Sequence, residues 1–228
     1  MVTVRDYYSK KEIERLHLYT NKVKCTGDPA IISVENYIRE KGNIDKVDST
    51  IAVNFRKFPK TEYRRNTIFD EEYAFQIIEK ISKKYENVTL VPMHTFSFGG
   101  DDRQFFADVL LGRQLKKVSV QYKISNLWEL YDIYASSTAC IGMRYHSVLM
   151  QTLLNGNNVI MNYTKNAGNK IDGFLSYCDL SMDYQDRKWD MESEIENSFW
   201  DNLSKPVKIN KEYDEIIKSY DAIESVLK

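Results

Sequence analysis

The sequence predicts an α/β fold in which helices cover both faces of a doubly wound, Rossmann-like parallel sheet. From residue 49 onward, runs rich in valine and isoleucine alternate with amphipathic stretches of about 10 to 16 residues. Strands and helices in regular alternation are typical of βαβ units, which build parallel sheets. The 228 residues, of which 43% are hydrophobic and 29% charged, suffice for one large globular domain.

The first three predicted strands alternate with two helices. Residues 49–55, 87–93 and 116–122 are valine-containing runs of strand length. Residues 70–85 carry apolar side chains at helical spacing, with acids at the start and lysines at the end, as the helix dipole favours. Residues 101–115 form a second helix that also begins with acids. This half of the sheet therefore has the order strand, helix, strand, helix, strand.

The second half of the sheet is predicted in the same way. Residues 138–143 (TACIGM) and 157–163 (NNVIMNY) are the next two strands. A helix at 125–137 precedes the first of them, and a helix at 144–156, which ends at a glycine, joins the two. A further helix is expected at 169–178.

Residues 1–48 do not follow this alternation of strands and helices. They contain a short helix at 9–18, which Ser9 is expected to cap, and a short strand at 22–25. Residues 31–48 are polar and ambiguous, and the segment has no obvious core of its own. We therefore expect residues 1–48 to be the remnant of the end of a preceding N-terminal domain.

The other end of the chain is predicted to be a helical tail. The sheet domain is expected to span residues 49–185 and the tail residues 186–228. Two helices are predicted in the tail, at about 190–203 and 210–227, and Pro206 separates them because proline cannot continue a helix.

Composition excludes several classes of protein. The net charge of −1 gives no basic field for nucleic acid. No apolar run approaches the length that spans a bilayer, and the start of the chain has no signal-peptide pattern, so we expect a cytoplasmic protein. Cys25, Cys140 and Cys178 are far apart and lack metal-ligand spacing, which argues against a disulfide framework and a zinc site.

Charged and imidazole side chains follow the ends of several predicted strands. Ligands of open parallel sheets bind outside the carboxyl ends of the strands, so these side chains are expected to meet at one edge of the sheet. Because most of them are basic, the sequence predicts an anion site there. The candidates are Arg56, His94, Asp101, Asp102, Arg144, His146 and Lys165.

The run TACIGMRYHSV is the most informative of these signals. Arg144 and His146 stand between apolar stretches, where an unpaired charge is costly, and no acid lies nearby in sequence to pair with Arg144. An anionic ligand would offset that cost. Each of the other candidates keeps a structural alternative, since a lone His94 is commonly a hydrogen-bonded structural residue and Asp101 and Asp102 can simply start their helix.

These residues resemble the signature region of the polysaccharide pyruvyl transferase family. The family pattern is an apolar strand, then Gly-x-Arg-x-His, an apolar helix and a strand ending in Tyr-x-Lys. Its residues in this chain are Gly142, Arg144, His146, Tyr163 and Lys165. Upstream, Arg5, Asp6, Ser9 and the Asp28-Pro29 pair look like the segment that ends the family's first domain, and Arg56 ends the first strand of the second.

The resemblance implies the second domain of a glycosyltransferase-B-like protein. Members transfer the enolpyruvyl carbons of phosphoenolpyruvate to two hydroxyls of a sugar, which gives a cyclic ketal and phosphate. Implied partners are therefore phosphoenolpyruvate, a sugar or lipid-linked oligosaccharide acceptor that draws the protein to the membrane surface, and an N-terminal domain or partner chain. Phosphoenolpyruvate is the donor substrate, and neither a cofactor nor a metal is implied.

The resemblance also implies roles for the candidate residues. The catalytic residues are expected to be His146, Arg144, Asp102 and Asp101. His146 is expected to act as the general acid or, alternatively, to bind the leaving phosphate, and Asp101 or Asp102 is expected to supply the base. The residues expected to bind the donor are Arg56, Arg144, His146, Tyr163, Lys165 and His94.

Two other functions are compatible with the sequence. A nucleotide-sugar glycosyltransferase or epimerase of the same architecture would bind a nucleotide diphosphate at the same edge of the sheet. A non-catalytic donor domain, acting as a binding module, would keep the basic residues without turnover.

Overall fold

The predicted alternation of strands and helices is present in the computed structural model, which describes residues 2–17, 23–57, 69–96, 100–163, 169–191 and 197–208. The strands are β1 (Val2–Val4), β2 (Val23–Cys25), β3 (Val47–Asn54), β4 (Asn87–Leu90), β5 (Val118–Val120), β6 (Ser137–Gly142), β7 (Asn158–Asn162) and β8 (Lys188–Asp190). The helices are α1 (Tyr7–Arg15), α2 (Ala30–Lys41), α3 (Glu71–Ser82), α4 (Asp102–Leu110), α5 (Leu127–Ser136), α6 (Tyr145–Leu154), α7 (Lys170–Tyr177) and α8 (Asn197–Asn202). No helix within these ranges is long and apolar enough to cross a bilayer.

The central sheet has six parallel strands in the order β5-β4-β3-β6-β7-β8. The chain winds outward from β3 in one direction and from β6 in the other, so the winding reverses between these two neighbours. In sheets of this type the ligand crevice lies outside the carboxyl ends of the strands at that reversal. Arg56 follows β3 and Arg144 follows β6, which puts both arginines at the crevice.

Helices cover both faces of this sheet. The core on one face joins side chains of α3, α4 and α8, and the core on the other joins side chains of α2, α5, α6 and α7. Neighbouring residues of β3 alternate between the two, since Ala52 belongs to the second core and both Ile51 and Val53 to the first. The predicted doubly wound α/β fold is thereby confirmed.

The N-terminal segment packs directly on the sheet domain. Its β1 and β2 pair in parallel as a separate two-stranded sheet. The stretch that looked ambiguous in sequence forms α2, which buries Ile31, Val34 and Tyr37 in the core beneath α5, α6 and α7. The Tyr37 hydroxyl also donates to Asp132 Oδ1 at 2.6 Å. The segment thus shares a core with the sheet, and its origin as part of a preceding domain stays a prediction.

The start of one helix differs from the prediction. Asp6, not Ser9, caps α1, because Asp6 Oδ1 accepts the Ser9 N–H at 2.7 Å while the Ser9 hydroxyl donates to Asp6 Oδ2 at 3.0 Å. Asn126 caps α5 by accepting the Glu129 N–H at 3.0 Å.

The predicted helix at about 190–203 is wrong at its start. Residues Lys188–Asp190 form β8, which adds a sixth strand beside β7, and the described helix of this region is α8, Asn197–Asn202. The strand places Trp189 and Met191 in the core beneath α8. Two buried apolar residues separated by one polar residue fit a strand better than a helix. The predicted helix at 210–227 lies outside the described residues.

Candidate functional site

A cavity of about 590 Å³ opens at the carboxyl ends of the central strands. Residues from six parts of the chain meet in it: the N-terminal segment, the segments that follow β3, β4 and β7, the start of α6, and the start of α7. The described lining consists of Arg5, Arg56, Met93, His94, Arg144, Tyr145, His146, Tyr163, Asn169, Lys170 and Ile171. Five of the predicted donor-binding residues therefore converge, and Lys165 lies outside the described residues.

The buried side chain of Asn54 fixes the turn that leads into the site. Its Oδ1 accepts the Arg144 N–H at 3.0 Å, and its Nδ2 donates to the Val91 carbonyl at 2.9 Å. The Met143 N–H donates to the Asn54 carbonyl at 3.1 Å. The end of β3 thus determines where Arg144 leaves the sheet.

Gly142 is required by close packing at the same turn. We expect Gly142→Ala to destabilise the fold by about 1–3 kcal/mol, because its Cβ would lie 2.6 Å from Gln151 Oε1 and 3.0 Å from Val148 Cγ2. Gln151 is held in place, since its Nε2 donates to the Ile141 carbonyl and the Ser147 hydroxyl. Urea denaturation measures the loss, and adding Gln151→Ala should recover part of it. A Gly142→Ala protein as stable as the parent would contradict this packing argument.

Arg144 has an acid partner, contrary to the expectation from sequence. Its Nε donates to Asp102 Oδ2 at 2.7 Å and its Nη2 to Asp102 Oδ1 at 2.5 Å. The partner comes from the start of α4, 42 residues upstream, so the sequence around Arg144 could not reveal it. Asp102 is only 1% exposed, and its Oδ2 also accepts the N–H groups of Met93 and His94. Four donors engage this carboxylate, which positions Arg144 and the loop after β4.

Asp101 also has a structural role, as the cap of α4. Its Oδ1 accepts the Arg103 N–H at 2.8 Å as the cap of α4, and the Arg103 guanidinium donates to its Oδ2 at 2.7 Å. The hydrogen bond from Arg103 lowers the pKa of Asp101 to about 2. Neither Asp101 nor Asp102 is among the described residues that line the cavity. The geometry therefore gives neither of them the place of the predicted base.

Arg5 is a cation of the site that the prediction did not include. It follows β1 directly, and its guanidinium lies over the Tyr145 ring, 4.8 Å from the ring centre. It makes long ion pairs with Asp6 at 3.5 Å and Asp28 at 4.0 Å. Within the described part of the chain, its guanidinium makes no hydrogen bond. It therefore has donors to offer a ligand, whereas two nitrogens of Arg144 are already engaged by Asp102.

His146 faces a buried carboxylate from the N-terminal segment. Its Nε2 lies 3.7 Å from Asp28 Oδ2. Burial acts to raise the pKa of Asp28, but hydrogen bonds from His146 and from the Ala30 N–H outweigh it, and the net pKa is lowered. Burial beside the same carboxylate raises the pKa of Tyr145. Asp28 thus anchors both residues that follow Arg144.

Arg5 and Asp28, which were not predicted as site residues, also follow the ends of parallel strands. Arg5 follows β1 directly and Asp28 comes three residues after β2, so both stand beyond the carboxyl end of a parallel strand. Applying that rule to the short N-terminal strands would have found them. Lys170 has no such signal, since it enters the cavity from the start of α7.

The parallel sheet with helices on both faces defines this chain as an α/β protein with a doubly wound fold. Its sequence matches the model of the family described as polysaccharide pyruvyl transferase over residues 1–165. That match covers well over half of the 228 residues, and the chain belongs to this family of transferases. No curated protein sequence is significantly similar to the chain.

Solved structures share the fold. A putative UDP-N-acetylglucosamine 2-epimerase from Listeria monocytogenes is similar with a TM-score of 0.52 and 14% identity, over 99% of this chain and 59% of that one. A UDP-GlcNAc 2-epimerase from Neisseria meningitidis bound to UDP-GlcNAc has a TM-score of 0.45 and 11% identity, over 99% of this chain and 60% of its own. The chain spans about three-fifths of the length of these structures.

Proposed function

We propose that this chain binds phosphoenolpyruvate for a ketal pyruvyl transferase, which moves pyruvate to two hydroxyls of a sugar and releases phosphate. The observation that carries the proposal is the cavity at the winding reversal, where Arg5, Arg56 and Arg144 meet His146 and Lys170. Phosphoenolpyruvate has a phosphate and a carboxylate close together, and several separate cations suit such a ligand. Family membership supplies the class of reaction.

Arg144 and Arg5 are held by different contacts in the proposed donor site. Arg144 is oriented in advance by its bidentate bond to Asp102, so it offers its remaining nitrogen without losing side-chain freedom. Arg5 is held by stacking on Tyr145 and keeps its planar fork for a carboxylate or phosphate. The free N–H groups at the start of α6 add a positive partial charge, because no side chain caps that helix.

His146 is the proposed general acid. Histidine titrates near neutral pH, which suits proton transfer. Its Nε2 lies 3.7 Å from Asp28 Oδ2, and this contact fixes the orientation of the ring. The ring gives a proton to the methylene carbon of phosphoenolpyruvate while a sugar hydroxyl forms a bond to C2.

In the remaining steps every proton and the leaving phosphate are accounted for by the substrates and His146. The first hydroxyl loses its proton to the imidazole that protonation of the methylene carbon left neutral. The C2–O bond to phosphate then breaks, the second hydroxyl bonds to C2, and its proton leaves with hydrogen phosphate. In this scheme His146 serves as acid and then as base, which replaces the role predicted for Asp101 or Asp102.

The acceptor and the cellular setting follow from the same proposal. The acceptor is a sugar, free or as a lipid-linked oligosaccharide, and a lipid-linked acceptor would bring the protein to the cytoplasmic face of the membrane. A further domain or partner chain is proposed to border the cavity, while the residues proposed for the reaction all belong to this chain.

The reaction itself can be tested by magnetic resonance. The chain is incubated with phosphoenolpyruvate labelled with ¹³C at C2 and with methyl glycosides that present free hydroxyls at positions 4 and 6. We expect a new ketal carbon signal with phosphate released in equal amount, and His146→Gln should remove both. A nucleotide-sugar enzyme would give neither product and would instead bind a uridine nucleotide in this cavity.

Asp28→Asn is expected to slow phosphate release about 10- to 100-fold with little change in phosphoenolpyruvate affinity, because it removes the group that orients His146. The variant should also alter acid stability. A carboxyl with a lowered pKa in the folded state stabilises the fold above its usual pKa, and this stabilisation is lost as pH falls through the lowered value. The difference in unfolding free energy between parent and variant should therefore shrink on acidification below about pH 4. A difference that grows on acidification would contradict this assignment.

A further inference from the structure

A second groove, of about 690 Å³, runs alongside the proposed donor cavity. It lies between α1 and the start of α7, and Arg5, Asn169 and Lys170 line both spaces. A ligand in the groove therefore borders whatever occupies the donor cavity. The volume falls within the range of pockets that hold small ligands.

One face of α1 supplies the part of the lining that belongs to this groove alone. Tyr8, Ser9 and Glu12 lie within one turn of each other, because residues three and four apart share a helix face. Lys11 and Ile13 of α1, together with Asp6 that caps this helix, complete this part of the lining. The Tyr8 side chain is 42% exposed, so an aromatic surface is open to a ligand.

The hydrogen-bonding groups of the groove are of both kinds. Lys11 and Lys170 are donors. The carboxylate of Glu12 already accepts from the Arg15 guanidinium through both oxygens and has further lone pairs with which to accept from a ligand. The Ser9 hydroxyl donates to Asp6 Oδ2 at 3.0 Å, which leaves its oxygen lone pairs for a ligand donor. A phosphate site would consist of donors only, because carboxylates repel an anion. Sugar hydroxyls both donate and accept, so the mixed lining matches a sugar.

We propose that this groove binds the acceptor glycan, as a polyhydroxylated ring packed against Tyr8 and hydrogen-bonded to Ser9, Lys11 and Glu12. The inference rests on the proposed function for its meaning, since the acceptor hydroxyls must reach C2 of the donor. The acceptor hydroxyls would enter the donor cavity at the boundary that Arg5 and Lys170 form between the two spaces. The groove is open along α1, which leaves room for the rest of a longer glycan.

The test is a ligand-observed NMR titration of the full 228-residue chain, without phosphoenolpyruvate. The probes are methyl β-D-galactopyranoside, methyl β-D-glucopyranoside and methyl β-D-mannopyranoside. We expect at least one glycoside to bind, and Tyr8→Ala to weaken it about fivefold. Tyr7→Ala is the matched control, because Tyr7 adjoins Tyr8 on α1 and is similarly exposed at 46% but is outside the groove lining. Circular dichroism verifies that both variants fold.

Three results would overturn the proposal: no binding of any glycoside, equal loss in the Tyr7 and Tyr8 variants, or binding that Tyr8→Ala leaves unchanged. Binding of inorganic pyrophosphate that Lys11→Ala removes, without glycoside binding, would make the groove an anion site instead. A separate titration with phosphoenolpyruvate keeps the two proposals apart. Glycoside binding without phosphoenolpyruvate binding would refute the donor site and leave the sugar groove standing.

Discussion

Arg144→Ala is expected to destabilise the fold by about 3–5 kcal/mol. The substitution leaves the Asp102 carboxylate, which is 1% exposed, without the guanidinium that compensates its charge. The backbone N–H groups of Met93 and His94 would remain as its donors, but neither carries a full charge. The loop after β4 should loosen together with the start of α4.

Chemical denaturation measures this loss of stability, and two further variants make the test more specific. Arg144→Lys keeps a positive charge but loses the bidentate geometry, so it should fall between the parent and Arg144→Ala. Arg103→Ala is the matched control, since it breaks the partly exposed pair with Asp101 and should cost much less stability. If Arg144→Ala were as stable as Arg103→Ala, the buried pair would not have the structural role assigned to it.

Arg5→Gln is expected to weaken phosphoenolpyruvate binding about 10- to 100-fold while leaving stability nearly unchanged. Within the described ranges the Arg5 guanidinium makes long ion pairs and a ring contact but no hydrogen bond, so its donors are available to the ligand. Loss of a charge-assisted bidentate contact accounts for the size of the effect.

Calorimetric titration measures the affinity of the Arg5 variant. The matched control is Arg15→Gln, because Arg15 ends α1, pairs with Glu12 on the protein surface and is outside the cavity lining. An Arg5→Gln protein that binds phosphoenolpyruvate as tightly as the Arg15→Gln protein would remove Arg5 from the donor site.

Hydrophobic periodicity was enough to predict the core of the fold. Each strand predicted between residues 49 and 163 is present, because buried parallel strands are nearly continuous apolar runs. The strand β8 was missed because it has only three residues and two of them, Lys188 and Asp190, are charged. Its place is determined by pairing with β7, a contact between distant parts of the chain that local patterns do not encode.

The candidate site was predictable where side chains follow strands. Arg56, His94, Arg144 and His146 meet in one cavity because the carboxyl ends of parallel strands share one edge. The pairing of Arg144 with Asp102 was not predictable, since it depends on how α4 is placed beside β6. Arg144→Ala therefore tests stability as much as ligand binding, and Arg5→Gln is the cleaner probe of the site.

Calorimetric titration of the parent chain with phosphoenolpyruvate, and with uridine diphosphate for comparison, tests the central claim most directly. We expect that phosphoenolpyruvate binds, that inorganic phosphate competes with it, and that uridine diphosphate does not displace it. Tight binding of uridine diphosphate in the same cavity, or no binding of phosphoenolpyruvate, would contradict the assignment of this cavity as the donor site of a pyruvyl transferase.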